Sequence, residues 1–490
     1  MFKKAWAIIF LLILILIAAS CSADDADTSP NRTENNSDGQ TEEDADGISG
    51  YVSPVPDDVD FDGRVIRVYH YDAGSSFDME EETGDTVDDA VYRRNQIVEG
   101  KLNIQFNHII GSNNAGITNS VKAGMDEYDF VTATQWQAVQ LLPDGIYREI
   151  TQFPHLDITQ PWWATDYINE FKITGDKIFF VTGDWNHNFL GSQSAIFVNK
   201  QLYQDQGFAD DLYQVVWDGK WTFDKYTEMV RGMYKDLDGD GQATDADQYG
   251  TALIVPTFAN HLTFAAGIKI FDRDENGLPV LNVINERNTK WAEMMLELYS
   301  SPGTRWFHPN PTQAQLDSTN VMFAEDRLLF LTARFWNAGS AELRAMNTDF
   351  MVIPYPKYDE LEPIYRSLVH DSCYLLGVPT TANIDDEILG AIFAELAYQG
   401  FDLTTPAFYE VALKNKYVRD YADIPMQILD MIREGATTEF GYIYNYALGE
   451  VGNVFAATLD SRSADLVSTY ERMERRVEDR LERMINTYLE

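Results

Sequence analysis

One stretch, residues 64 to 106, most constrains what this chain can fold into. Arg64-Val-Ile-Arg-Val-Tyr-His-Tyr71 is rich in β-branched and aromatic residues and reads as a strand. A polar loop from Asp72 to Asp85 follows, and Thr86 with Asp89 forms a capping-box start for a helix. Val87, Ala90, Val91, Ile97 and Val98 are its apolar stripe, and Gly100 is its expected end. Leu102, Ile104 and Phe106 then alternate with polar residues as a second strand. Strand, helix and strand at this spacing imply a parallel sheet in an α/β domain. The pattern recurs in the strand Tyr128-Asp-Phe-Val-Thr-Ala-Thr134 and a short helix from Trp136 to Leu142, closed by a turn at Pro143-Asp-Gly145.

Further on, Lys177–Val181 and Ser194–Asn199 read as strands, with Gly183-Asp-Trp-Asn-His-Asn188 between them. Thr222 caps a helix whose buried face is Phe223, Tyr226, Val230 and Met233, and Trp221 staples onto Tyr226. Trp291, Met294, Met295 and Leu298 line another helix. Arg327–Thr332 is a strand that leads into Ala333-Arg-Phe-Trp-Asn337, and Phe350–Ile353 runs into an extended Pro354-Tyr-Pro356. Beyond Cys373 the chain is mainly helical. Its last helix carries Tyr470, Met473, Val477, Leu481, Met484 and Tyr488 as a docked core face.

The segment Asp236-Leu-Asp-Gly-Asp-Gly-Gln-Ala-Thr-Asp-Ala-Asp247 has the spacing of an EF-hand calcium loop. Asp236, Asp238, Asp240 and Asp247 would be carboxylate ligands, Gln242 would give its backbone carbonyl, and Thr244 would act through water. Gly241 makes the sharp turn that only glycine makes without strain. Asp247 stands where a longer Glu is usual, so weak, structural calcium binding suited to extracellular fluid is expected.

The chain begins with a short basic stretch, Met1-Phe-Lys-Lys, and a continuous apolar run from Ala5 to Ala19, too short for a comfortable membrane span. Residues 1–20 read as a signal peptide, and Ala18-Ala-Ser-Cys21 looks like a bacterial lipobox with Cys21 lipidated. The only other cysteine is Cys373, so no disulfide framework is expected. From Ser22 to Asp62 there are thirteen acidic residues against a single Arg32, and residues 21–60 read as a disordered tether. The formal net charge of −41 argues against nucleic acid or anionic membrane surfaces as partners.

Motifs of common enzymes are missing. There is no phosphate-cradling glycine loop, no G-x-S-x-G elbow and no H-E-x-x-H, and the seven histidines are scattered without metal-ligand spacing. No enzyme is expected.

Several stretches together resemble the extracellular solute-binding lipoproteins of bacterial ABC importers, the carbohydrate-type class that includes maltose-binding protein. They are Asp88-Asp-Ala-Val-Tyr-Arg-Arg-Asn95, Asp157-Ile-Thr-Gln-Pro-Trp-Trp163, Phe197-Val-Asn-Lys-Gln-Leu-Tyr203, Asp218-Gly-Lys-Trp-Thr-Phe223 with the Asp236 loop, Ile353-Pro-Tyr-Pro-Lys357 and Leu376-Gly-Val-Pro379. The resemblance implies a two-lobed periplasmic-binding-protein-like fold (class II), with mainly parallel sheets flanked by helices and a hinge between lobes. Lobe one would be residues 60–190 plus 368–400. Lobe two would be 191–367 plus 401–490 and would carry the calcium-type loop away from the cleft. A monomer anchored only by its lipid to the outer face of the cell membrane would hand its ligand to permease subunits.

Ligands of open α/β sheets bind beyond the carboxyl ends of strands and between domains. On that logic the ligand-binding residues would be Tyr71, Asp72, Gln135, Trp136, Asp184, Trp185, Asn186, Trp336, Asn337 and Asp371, with Trp336 and Trp185 foremost. Aromatic faces with Asp, Asn and Gln beside them suit a sugar or oligosaccharide. Two other classes stay open: a secreted glycan-active hydrolase using paired cleft carboxylates, and a surface carbohydrate receptor or adhesin.

Overall fold

The computed structural model describes residues 50–72, 77–208, 210–307, 312–414 and 424–489. Cys21 and the signal-peptide and tether segments before residue 50 lie outside the described residues. No helix among the described residues is long and apolar enough to cross a membrane.

Fourteen strands follow one another along the described chain. The first four are β1 (Arg64–His70), β2 (Ile104–Ile110), β3 (Phe130–Thr134) and the short β4 (Phe180–Val181). Next come β5 (Ser194–Asn199), β6 (Tyr249–Ile254), β7 (Phe271–Arg273), β8 (Pro279–Leu281), β9 (Thr304–Phe307), β10 (Leu328–Arg334) and β11 (Phe350–Ile353). The last three are β12 (Ser367–Leu368), β13 (Tyr374–Gly377) and β14 (Ala436–Thr437).

Two five-stranded sheets result, ordered β2-β1-β3-β13-β4 and β11-β5-β10-β6-β9. Pairing is parallel from β2 through β1 to β3, while β13 runs antiparallel to both β3 and β4. In the second sheet β10, β6 and β9 are parallel, and β5 runs antiparallel to β10 and β11. Each sheet therefore has four strands pointing one way and one reversed. The reversed strands are the two that the chain enters on crossing from one lobe to the other. This is a two-lobed, mainly parallel α/β fold.

Helix Thr86–Leu102 shows how the local sequence sets these elements. Asp85, not Thr86, is its N-cap, and its carboxylate accepts the N–H of Val87 and of Asp88. The helix runs past Gly100 to Leu102, because Asn103 adopts the left-handed conformation (φ 49°) that closes it. Val87, Val91, Val98 and Leu102 are buried, and helix Asp386–Gln399 packs against the same helix. Thr222 caps helix Phe223–Arg231 as its sequence suggests, with Trp221 and Tyr226 ring centroids 6.0 Å apart.

Three extended segments run side by side where the lobes join. β12 pairs with β14, and Gln193 bridges Val369 just before β5 begins. Beyond Gln399 the chain serves both sheets. Helix Thr405–Lys414 packs on Thr86–Leu102, whereas helix Val454–Asp460 packs on helix Glu286–Ser300. The final helix, Glu474–Leu489, buries Val477, Leu481, Met484 and Tyr488. At its end the Tyr488 hydroxyl donates to the carbonyl of Leu142, and its carbonyl accepts from Lys177 Nζ at 3.0 Å.

Candidate interlobe site

Two half-exposed tryptophans from different sheets flank the join between the lobes. Trp136 follows β3, in the first turn of helix Gln135–Gln140, and is 40% exposed. Its N–H donates to the carbonyl of Asp371 at 3.2 Å, and its ring meets Tyr446 edge-on at 6.5 Å. Trp336 follows β10, in the 3-10 turn Phe335–Gly339, and is 41% exposed. Its indole lies against Gly191, where any Cβ would stand 2.6 Å from the ring, and it is backed by His187 and Phe408. Glycine at 191 thus lets the ring lie flat on the backbone.

Polar residues of the hinge form a floor beside them. Ser372 Oγ stands 3.0 Å from His370 Nδ1 and 3.5 Å from Ser192 Oγ, and it accepts from the Arg334 guanidinium at 3.3 Å. The Ser372 N–H also donates to His370 Nδ1 at 3.2 Å, so this nitrogen is an acceptor and the imidazole is neutral. Burial agrees with that, holding His370 well below its usual range. The Asp371 carboxylate, 3.2 Å from the same nitrogen, is therefore not charge-paired with it. Burial pushes Asp371 up to about 6, with the positive charge of Arg334 opposing. Deeper still lies His261, fully buried, its ring 5.7 Å from that of His370. Burial holds His261 neutral as well, down at about 3. Asp72, at the end of β1, is half-buried and accepts the Tyr374 hydroxyl at 2.5 Å.

Six of the expected ligand-binding residues are turned to other work. Trp185 is fully buried in the first lobe's core, edge-on to Phe77 at 6.1 Å, and its carbonyl accepts from Arg94. Asp184 is buried in an ion pair with Arg433 at 2.6 Å, and Asn186 is buried and caps the N–H of Asn188 at 2.7 Å. All three follow β4 on a loop that turns inward, because Gly183 packs so tightly on the carbonyl of Trp162 that no Cβ would fit. Tyr71 is fully buried among core aromatics. Gln135 is fully buried and accepts the Tyr167 hydroxyl. Asn337 is spent on a cap: its Oδ1 accepts the Arg334 N–H at 3.1 Å and its Nδ2 donates to Asn320 at 3.1 Å. Arg334, Ser192 and Tyr446 are the gains, while Ser372 lies on a loop after an apolar strand, where the sequence places cleft residues. Of the gains only Arg334 had a sequence signal, a cation at the end of an apolar strand.

The Asp236–Asp247 loop lies just beyond helix Phe223–Arg231. One oxygen each from Asp236, Asp238 and Asp240 lies within 4.8 Å of the others. Asp236 accepts the N–H groups of Gly239 and Gly241 at 2.7 and 2.9 Å, and Asp240 that of Gln242 at 2.7 Å. Gly241 is left-handed (φ 73°), as the turn demands. Three oxygens drawn together by backbone donors fit a hard divalent cation. Asp247 does not join them. It is fully buried, and its two oxygens accept the N–H groups of Leu237 and Thr244, both at 3.0 Å, so its short arm clips the loop closed.

No family model matches the chain, and no curated protein sequence does. Solved structures do. UgpB from Mycobacterium tuberculosis, solved with glycerophosphocholine, aligns with TM-score 0.53 at 14% identity, over 86% of this chain and 99% of its own. The galacto-N-biose/lacto-N-biose I-binding protein of the ABC transporter from Bifidobacterium longum, in complex with lacto-N-biose, aligns with TM-score 0.54 at 12% identity, over 86% and 98%. The maltose/maltodextrin-binding domain MalE from Bdellovibrio bacteriovorus, bound to maltotriose, aligns with TM-score 0.50 at 13% identity, over 85% and 100%. The likeness is one of fold and spans nearly the whole of each: this chain has the two-lobed, periplasmic-binding-protein-like α/β fold.

Proposed function

We propose that this protein is the substrate-binding component of an ABC importer, capturing a sugar or oligosaccharide between its lobes and passing it to the permease without chemical change. The observation that carries the reading is the pair Trp136 and Trp336. Two half-exposed indoles, one just after a strand of each sheet, adjoin polar residues of the hinge: the Trp136 N–H donates to the Asp371 carbonyl, and Trp336 stands two residues beyond Arg334, which donates to Ser372. Exposure alone marks no site, since Trp217 is more exposed still; these two indoles stand out because hinge polar groups adjoin them. Indole faces stack on the apolar face of a sugar ring, and Asp72, Asp371 and Ser372 offer hydrogen bonds to its hydroxyls. The neighbours in fold include proteins solved with maltotriose and with lacto-N-biose.

A thermal-shift screen against mono-, di- and oligosaccharides tests this. A ligand at a hundred times its Kd stabilises by about 2.7 kcal/mol, and chromatography of the incubated sugar should return it intact. If no sugar raises the melting temperature, or if the sugar is cleaved, the reading is wrong.

Calcium held by Asp236, Asp238 and Asp240 would brace the second lobe, drawing together oxygens that otherwise repel. Cys21 would carry a lipid that keeps a monomer at the outer face of the membrane. A Cys21→Ala variant found in the soluble extracytoplasmic fraction would support that anchor, and one still membrane-bound would remove it.

A further inference from the structure

We propose that the cleft selects a sugar carrying an anionic oxygen group, a carboxylate or a phosphate ester, and that Arg334 is the residue that reads it; this rests on the sugar-binding reading above. Arg334 ends β10, two residues before Trp336, and its side chain reaches the hinge floor. Among the described residues its guanidinium donates one hydrogen bond, to Ser372 Oγ at 3.3 Å, and no carboxylate stands within ion-pairing distance. A guanidinium has five donors in a planar fork matched to carboxylate and phosphate.

Its isolation contrasts with the chain around it. Acidic residues outnumber basic ones, 78 to 37, so an arginine has carboxylates in ample supply. Three partly buried arginines take them: Arg433 holds Asp184 at 2.6 Å, and Arg287 and Arg366 hold Glu362 at 2.6 and 2.7 Å; the fully buried Arg94, like Arg334, has no carboxylate and bonds the Trp185 carbonyl and the Asn95 amide instead. Arg334 is largely desolvated, and burial lowers its pKa, with Tyr442, Asp371 and Tyr355 nearby offsetting only part of that cost. His261 and His370 beside it are neutral, which leaves Arg334 as the positive charge of this floor.

The geometry divides the work of recognition. The tryptophans take ring faces and discriminate little between sugars of similar shape. A neutral hydroxyl would satisfy the guanidinium's donors but leave its charge balanced only by the more distant Asp371 carboxylate. An anionic substituent satisfies both, and its charge-assisted bonds are stronger than neutral ones. In a protein with a net charge of −41, an anionic ligand also needs one local cation to be held at all. Arg334 is placed to be that cation.

The competing role for Arg334 is a clip that holds Ser372 and the hinge. The two roles separate in calorimetry and thermal shift with matched probes: neutral mono- and disaccharides, their uronates, and their phosphate esters. Anion recognition predicts that one acidic class binds at least about tenfold tighter than its neutral counterpart. It also predicts that Arg334→Gln removes this preference and Arg334→Lys keeps part of it. The uronate and phosphate arms show which group is read. Neutral sugars binding as tightly as acidic ones to the unmutated protein would overturn the inference and leave the sugar-binding function standing. So would an Arg334→Gln variant that weakens both classes equally. If no member of any class binds, the function itself fails and this inference with it. The comparison on the unmutated protein keeps the test decisive even if a variant does not fold.

Discussion

The Trp336 indole rests on the backbone of Gly191, and its contacts are to the ring edges of His187 and Phe408 rather than to a closed core. Truncating such a ring removes a ligand contact more than a core contact. Trp336→Ala should weaken sugar binding at least about tenfold, measured by calorimetry, with the melting temperature nearly unchanged. Trp185→Ala should do the reverse, costing about 3–5 kcal/mol of stability with affinity spared in whatever protein remains folded. The two tryptophans look alike in sequence, each followed by asparagine soon after an apolar strand. Their fates differ because of a contact far away in the chain, that of Gly183 with the Trp162 carbonyl. Local sequence shows that a strand ends, but the next residue's direction is set by what the returning chain has already placed there.

Asp371 makes a second prediction at this scale. Its carboxyl is raised from 3.8 to about 6 in the folded state, so the folded protein holds this proton more tightly than the unfolded chain. Its contribution is therefore most favourable below about pH 4 and is lost as pH rises through about 6. Asp371→Asn removes that cost. The variant should gain stability relative to the parent across this window, levelling at on the order of 3 kcal/mol above it, in paired denaturation curves between pH 4 and 8. A difference that does not change with pH would show the carboxyl to be ordinary.

Elements were legible where they end on local chemistry. β5 and β11 span the residues their apolar runs mark, and the Thr222 cap stands where the sequence puts it. Helix Thr86–Leu102 overran its glycine because Asn103, a residue that also tolerates the left-handed region, closes it less than one turn later in the chain. Lys177–Val181 shrank to the two residues of β4, since only Phe180 and Val181 find β13 to pair with. The Asp236–Asp247 loop yields a prediction for an element. Chelation should lower the melting temperature and added calcium should restore it, while Asp240→Ala should make the protein indifferent to both. Asp247→Ala should instead lower the melting temperature with calcium present or absent, because it clips backbone N–H groups. A parent protein that ignores the chelator would refute the calcium role.

At the scale of the whole molecule, extended segments at Gln193, Ser367–Val369 and Ala436–Thr437 run between the two sheets, beside an apolar core that continues from one to the other. Such a join bends through a few backbone angles while each packed lobe moves as a body. Sugar should therefore reduce the radius of gyration in small-angle scattering, and the same sugar should leave it unchanged in Trp336→Ala at a concentration that saturates the parent. An unaltered scattering curve for saturated parent protein would mean that capture needs no closure.

The insertion of β13 between β3 and β4 also dictates an order of assembly. Every strand of the second sheet lies between Ser194 and Ile353, so that sheet can pair off as soon as this continuous stretch has been made. The first sheet cannot. Thr134 and Val181 both wait for residues 374–377, and until those arrive β3 and β4 present unpaired edges. The sheet that begins first is thus the one completed last. A ribosome-bound chain halted before Tyr374 should hold a protected second sheet beside a protease-sensitive first one, and a loop closed over so long a separation is slow to form.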